Sequence, residues 1–167
     1  MSGRTQLALA LLVLACLGCV PSNTVVTSTL PPSFKTETCT PSDQDAYVYR
    51  PARLGVMTPC LRVTGTIVSM SIETDGDVHI EVKLDTPYVG MLNAGNDEAE
   101  GNLVVEPVCQ LPPLAADAIR ICAADPDPLA SLPAVGAHVW LEGRHVLDLQ
   151  HFSWVELHPL YRWGVAP

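Results

Sequence analysis

The sequence predicts an all-β domain: a five-stranded OB-fold Greek-key barrel with one short helix between strands 3 and 4. Five segments have strand-like composition, and a proline-led helical segment separates the third from the fourth. The globular part is long enough for one small domain. A β-sandwich would need about seven strands and offers no place for the helix.

The first two strands are the clearest elements. Residues 61–70 are rich in β-branched side chains, and Gly65 among them indicates a bulge or bend. The turn signal Thr74-Asp75-Gly76-Asp77 precedes residues 78–85, in which apolar and polar residues alternate strictly. We therefore expect the apolar positions of this second strand to face the core. Its polar positions then face outwards, namely His79, Glu81, Lys83 and Asp85.

The later elements follow from composition and punctuation. The polar residues 93–102 are predicted to be a loop, and residues 103–106 form a short apolar third strand after it. Residues 111–120 are predicted to be the helix, because the two prolines near their start suit a first helical turn. Residues 137–146 and 152–160 then supply strands four and five.

The N-terminus is typical of a secretory signal. Arg4 precedes an apolar run over residues 7–14, which is too short for the ~20 residues that span a bilayer. A cysteine after a small residue resembles a bacterial lipoprotein signal. We place the signal peptide at residues 1–18, with cleavage and lipidation at Cys16 or Cys19. The apolar Val13, three places before Cys16, suits such a signal better than Cys16 does at the same place before Cys19. Cleavage without a lipid is the alternative.

Export to the cell envelope is therefore expected, with a lipid anchor in the outer membrane or at the cell surface, or otherwise a periplasmic or secreted protein. Residues 19–46 are rich in Pro, Ser and Thr and indicate a flexible tether before a domain at residues 47–163. The formal net charge of −9 becomes −10 once the signal with Arg4 is removed. Such an acidic chain opposes nucleic-acid binding, and we expect a monomer.

Four cysteines lie beyond the signal and allow three disulfide pairings. Cys109 and Cys122 flank one short segment, so we pair them with each other and Cys39 with Cys60. A cysteine metal site is the alternative, although no CxxC spacing supports it.

Several different short polar motifs follow one another along the chain. They are Asp75-Gly76-Asp77-Val78-His79-Ile80, Val104-Val105-Glu106, Asp148 with His151, and Glu156-Leu157-His158-Pro159. This series resembles a widespread group of small bacterial proteins with the pattern DGDxH, VxE, DxxH and E[IL]HP. The resemblance implies an exported or lipid-anchored OB-fold domain and implies no activity.

A divalent-metal site is one interpretation of these motifs. Imidazole and carboxylate side chains together suit zinc and similar ions. The candidate ligands are His79, Glu106, His151, Glu156 and His158. With an open coordination position, such a site could activate water to hydrolyse a phosphate ester. Catalysis is the less favoured class, because no pair of arginines is placed to hold a phosphate.

A binding module is the favoured interpretation, with an envelope glycan, peptide or protein as the ligand. Tyr88, Trp140 and Trp154 are candidates for stacking on that ligand, provided that they share an exposed face. The third interpretation is structural. The motif residues would then form a hydrogen-bonded network that fixes strand register without a ligand.

Overall fold

The computed structural model describes residues 39–124 and 128–167. The predicted signal peptide, the lipidation candidates Cys16 and Cys19, and the first part of the tether lie outside the described residues. No helix of residues 39–124 and 128–167 is long and apolar enough to cross a membrane.

Five strands dominate the described chain: β1 (Leu54–Ile72), β2 (Val78–Leu84), β3 (Leu103–Val105), β4 (His138–Asp148) and β5 (Trp154–Val165). One α-helix, α1 (Ile119–Cys122), lies between β3 and β4. Short 3₁₀ helices cover Asp43–Tyr47, Pro51–Arg53, Thr86–Met91 and Ala94–Ala99. An all-β fold with five strands and a helix before the fourth is thus confirmed.

The five strands form one mixed sheet in the order β1-β2-β3-β5-β4, and β1 and β4 pair to close it. Every neighbouring pair is antiparallel except β3 with β5, which run parallel. β1 is longer than predicted because its N-terminal part pairs with β4 and its C-terminal part pairs with β2. Gly65 pairs with both Leu84 and Val139. A Cβ at Gly65 would lie 2.6 Å from the Lys83 carbonyl oxygen, so the close approach requires glycine.

Two other elements differ from the prediction. The helix is shorter, because residues 111–118 form bends and turns and only Ile119–Cys122 is α-helical. The prolines at 112 and 113 cannot donate backbone hydrogen bonds, so this stretch does not propagate as a helix. The polar stretch 93–102, expected to be a loop, contains the 3₁₀ helix Ala94–Ala99.

The main core fills the interior of the closed sheet. Its large fully buried side chains come from all five strands and include Leu61, Ile67, Ile80, Leu103, Leu141, Leu157 and Leu160. A smaller apolar cluster, which includes Val48, Leu54, Val108 and Val146, lies beneath the N-terminal segment. Burial along β2 alternates as predicted: its apolar residues are buried, whereas Lys83 is exposed.

Both predicted disulfides are confirmed. Cys39 is bonded to Cys60 and attaches the first described residue to β1. Cys109 is bonded to Cys122 and ties the segment after β3 to α1. Disulfides persist in oxidising compartments, so these two bonds favour a location outside the cytoplasm.

Candidate functional site

The polar motif residues meet at one end of the closed sheet, and strand register explains why. Ile80 of β2 pairs with Val105 of β3, which continues the register to His79 opposite Glu106. Val105 also pairs with Leu157 of the parallel β5, so Glu106 lies beside His158. Three segments that are far apart in sequence therefore deliver adjacent side chains.

Glu106 is the centre of this polar cluster. Its Oε2 lies 2.6 Å from His158 Nδ1 and 3.4 Å from Arg53 Nη2, and its Oε1 lies 3.3 Å from His79 Nδ1. Glu106 is 6% exposed and His158 is fully buried. The carboxylate thus holds two imidazoles and one guanidinium in fixed positions.

Asp148 and Glu156 extend the cluster towards the turn between β4 and β5. Asp148 forms an ion pair with Arg53, and its Oδ2 lies 2.8 Å from His151 Nδ1. Glu156 accepts a hydrogen bond from the Trp154 indole, and its Oε2 lies 3.3 Å from His158 Nδ1. Both carboxylates are buried, so their charges act at short range in a medium of low polarity.

The five sequence-predicted metal ligands therefore belong to one connected cluster, although they do not surround a single point. His79, Glu156 and His158 converge on or beside Glu106, whereas His151 binds Asp148. The Nδ1 atoms of all three histidines are engaged by carboxylates.

Burial and charge perturb the groups at the centre in different directions. Burial alone would raise the pKa of Glu106, yet the charge and hydrogen bond of His158 hold it well below its usual range. Burial opposes protonation of His158, but the Glu106 carboxylate raises the pKa of this imidazole to about 10. The pKa of His79 is raised as well: burial is the largest single cause and opposes the shift, but the hydrogen bond and charge of Glu106 together with the charges of Glu73 and Glu156 outweigh it. The His158 imidazole therefore favours the protonated form.

A cleft of about 320 Å³ opens above this cluster. Part of its lining comes from the cluster itself, namely Arg53, His79, Glu106, His151 and Trp154. Glu73, Asp75 and Glu81 add three further acidic residues to the walls. The cleft thus combines an aromatic wall with a lining in which carboxylates outnumber cations.

The turn between β4 and β5 supplies the aromatic wall. The rings of His151 and Trp154 are stacked, with centroids 5.3 Å apart, and the exposed Phe152 ring lies 6.5 Å from Trp154. Phe152 and Ser153 both have left-handed backbone angles, with φ of 55° and 56°. Bulky residues seldom adopt this conformation, so the surrounding structure must hold the turn.

The 3₁₀ helix Ala94–Ala99 and its N-cap residue Asn93 hold the turn between β4 and β5 in this conformation. The Asn93 side chain donates to the Ser153 carbonyl oxygen at 2.8 Å. The Asn96 side chain accepts from the Val155 N–H at 3.0 Å and donates to the Val155 carbonyl oxygen at 3.0 Å. A Cβ at Gly95 would lie 2.5 Å from the Phe152 carbonyl oxygen, so glycine allows this close approach.

The three candidate stacking aromatics do not share a face. Tyr88 is packed in the main core. Trp140 pairs with Gly164 near the start of β4, whereas Trp154 pairs with Asp148 at its other end. Trp140 instead lies under the Arg62 guanidinium, 4.6 Å from the ring centroid. The expectation of a common aromatic surface is therefore corrected, and only Trp154 of the three lines the cleft.

Sequence reasoning missed two members of the cluster. Arg53 lies in a 3₁₀ helix just before β1, and no motif marks it. Asp77 was interpreted as a turn residue, yet it is buried and its Oδ2 lies 3.8 Å from His158 Nε2. The available signal was its position directly before the buried Val78 of β2.

Comparison of this chain with known protein families, with characterised proteins and with solved structures finds no match.

Proposed function

We propose that this protein is an exported, lipid-anchored OB-fold binding module whose cleft takes a basic segment of a peptide or protein. The lipid anchor would be at Cys16 or Cys19, within the predicted signal. Two disulfides in the described chain support the exported part of this proposal.

Strand order supports the OB-fold assignment. An OB-fold is a five-stranded, partly open Greek-key barrel. The order β1-β2-β3-β5-β4, with α1 between β3 and β4, agrees with the arrangement expected from the sequence. The family resemblance depends on the motif series DGDxH, VxE, DxxH and E[IL]HP, and this resemblance stays a prediction.

The size and construction of the cleft support a ligand site. Ligand pockets are typically ~300–1,000 Å³ and contain a few polar groups held in position, often with perturbed pKa values. The cleft falls at the lower end of this range. Its floor residue Glu106 is fixed by three cationic or imidazole side chains, so little side-chain freedom remains to be lost on binding.

The acidic residues on the cleft walls favour a basic ligand. Arg53 is already paired with Asp148 and Glu106, so it offers little charge to an anion. Glu73 is exposed and Glu81 is half-buried on the cleft walls, where each can reach a ligand. A lysine or arginine side chain would meet these carboxylates and the face of Trp154, where a cation is attracted by the ring.

Calorimetric titration of the chain with pentalysine, with pentaglutamate and with a neutral oligosaccharide tests this proposal. We expect binding of pentalysine only, with an affinity that falls as salt is raised. The double variant Glu73→Gln/Glu81→Gln should weaken it roughly fivefold to tenfold, because an exposed ion pair contributes up to about 1 kcal/mol.

The matched control is Asp43→Asn/Asp97→Asn, which removes the same charge from two exposed sites outside the cleft lining. This control should bind pentalysine like the parent chain. Equal weakening in both double variants would show attraction to net charge alone and would refute the cleft as the site. Binding of the neutral oligosaccharide without pentalysine would replace the basic ligand with a glycan.

A further inference from the structure

We propose that a divalent metal ion of the zinc class binds between Asp77 and His158, behind Glu106 and separate from the cleft ligand. This inference does not depend on the proposed function. It also moves the predicted metal site, because Asp77 is absent from the five ligands that the sequence indicates.

Two buried polar atoms without partners carry the proposal. Asp77 Oδ2 and His158 Nε2 each have no hydrogen-bond partner among the described residues. Asp77 is 1% exposed and His158 is 0% exposed, so bulk water does not satisfy these atoms. A buried polar atom without a hydrogen bond is unfavourable, so two such atoms that face each other indicate a missing group between them.

The other polar atoms of both side chains fix the direction of the free ones. The Cys109 N–H donates to Asp77 Oδ1 at 2.8 Å, which leaves Oδ2 as the available oxygen. Glu106 Oε2 lies 2.6 Å from His158 Nδ1, which leaves Nε2 as the nitrogen that can bind a metal ion once the ion displaces its proton. A carboxylate on the far nitrogen of a histidine is the usual support of a metal-bound imidazole.

The gap has the length that a metal ion requires. Asp77 Oδ2 and His158 Nε2 are 3.8 Å apart, which is too long for a direct hydrogen bond. Bonds of ~2.0–2.2 Å from one ion to each atom would span this gap at roughly 120–145°, so the two atoms must approach by about 0.4 Å to reach tetrahedral coordination. A bridging water with hydrogen bonds of ~2.8 Å would need an acute angle between them.

Charge in the surroundings favours a cation. Four buried carboxylates, those of Asp77, Glu106, Asp148 and Glu156, lie in one network. When His158 binds the ion it is neutral, which leaves Arg53 as the nearly buried cation that balances these carboxylates. Buried carboxylates in excess over cations are costly unless further positive charge is bound.

The donor chemistry identifies the class of ion. One donor atom of each of Asp77, Glu106 and His158 lies within 4.8 Å of the others. An imidazole nitrogen with carboxylate oxygens suits zinc and the neighbouring first-row divalent ions better than calcium or magnesium, which prefer oxygen alone.

The test uses the full chain, made without a histidine tag and stripped with a chelator. Calorimetric titration with zinc should give one ion per chain, and the ion should raise the melting temperature. Asp77→Asn and His158→Gln should both lose this stoichiometric binding. Asp85→Asn and His138→Gln are the matched controls, since they alter an Asp–His pair 3.0 Å apart, directly after β2 and at the start of β4, and they should bind zinc normally.

Zinc binding that survives in both Asp77→Asn and His158→Gln would overturn the proposal, as would a parent chain that binds no zinc. Either variant could fail to fold, so X-ray absorption of the zinc-loaded parent chain supplies a second measurement. One imidazole with oxygen ligands is expected. Two or more imidazoles would place the ion among His79, His151 and their neighbours and would also refute the site.

Discussion

At the residue scale, two buried histidines show how a partner decides charge. His145 of β4 and His158 of β5 are both at most 1% exposed. Burial lowers the pKa of His145 to about 4. The Glu106 carboxylate raises the pKa of His158 to about 10 in spite of burial. The same residue type is therefore neutral on one strand and cationic on the next at neutral pH.

Replacing His145 by Gln should remove an acid sensitivity of the fold. The folded-state pKa lies below the ordinary value, so stability is complete above about pH 6.5 and falls as the pH drops towards 4. The parent should lose on the order of 2 kcal/mol from this group between pH 7 and pH 5, and the variant should not. Urea unfolding at both pH values measures the difference. An identical loss in the variant would contradict the assignment to His145.

At the element scale, the 3₁₀ helix Ala94–Ala99 and the turn between β4 and β5 behave as one unit. Asn96 is fully buried, and its side chain also donates to the Asn102 carbonyl oxygen at 3.0 Å. It thereby joins this helix to the chain before β3 and to the start of β5. The polar stretch 93–102 looked like a loop because its helical turns depend on these long-range contacts rather than on local apolar periodicity.

Asn96→Ala should therefore destabilise the protein by about 2–4 kcal/mol, because several hydrogen bonds are lost and buried backbone groups are left unpaired. Asn96→Asp keeps the oxygen that accepts from Val155 but loses the donors, so its loss should be intermediate. Urea unfolding monitored by tryptophan fluorescence checks both. A loss below 1 kcal/mol in Asn96→Ala would show that water replaces the side chain easily.

At the scale of the whole molecule, alternation and cysteine spacing carried most of the prediction. The outward polar positions on β2 follow from alternation within a few residues. Both disulfides follow from pairing the cysteines that flank short segments. The convergence of His79, Glu106 and His158 could be anticipated once strand order was assumed. Arg53 could not, because its place in the cluster depends on how the segment before β1 lies across β4 and β5.

The disulfide between Cys39 and Cys60 belongs to this global scale, since it fastens the N-terminal segment to the closed sheet. The double variant Cys39→Ser/Cys60→Ser should lose about 3 kcal/mol of unfolding free energy, because the unfolded chain gains freedom. Pentalysine affinity should stay the same, since the bond does not line the cleft. Chemical denaturation and calorimetry test the two halves. A changed affinity at unchanged stability would contradict both.

Glu106 contributes to the fold through its backbone and to the polar cluster through its side chain. Its N–H donates to the Leu157 carbonyl oxygen at 3.0 Å, and its carbonyl oxygen accepts from the Leu160 N–H at 2.9 Å. Its carboxylate holds Arg53, His79 and His158. Selection for folding and selection for binding consequently act on the same position. We expect a substitution there to require compensating changes at its three partners, so these four positions should coevolve, which an alignment of homologous sequences would test.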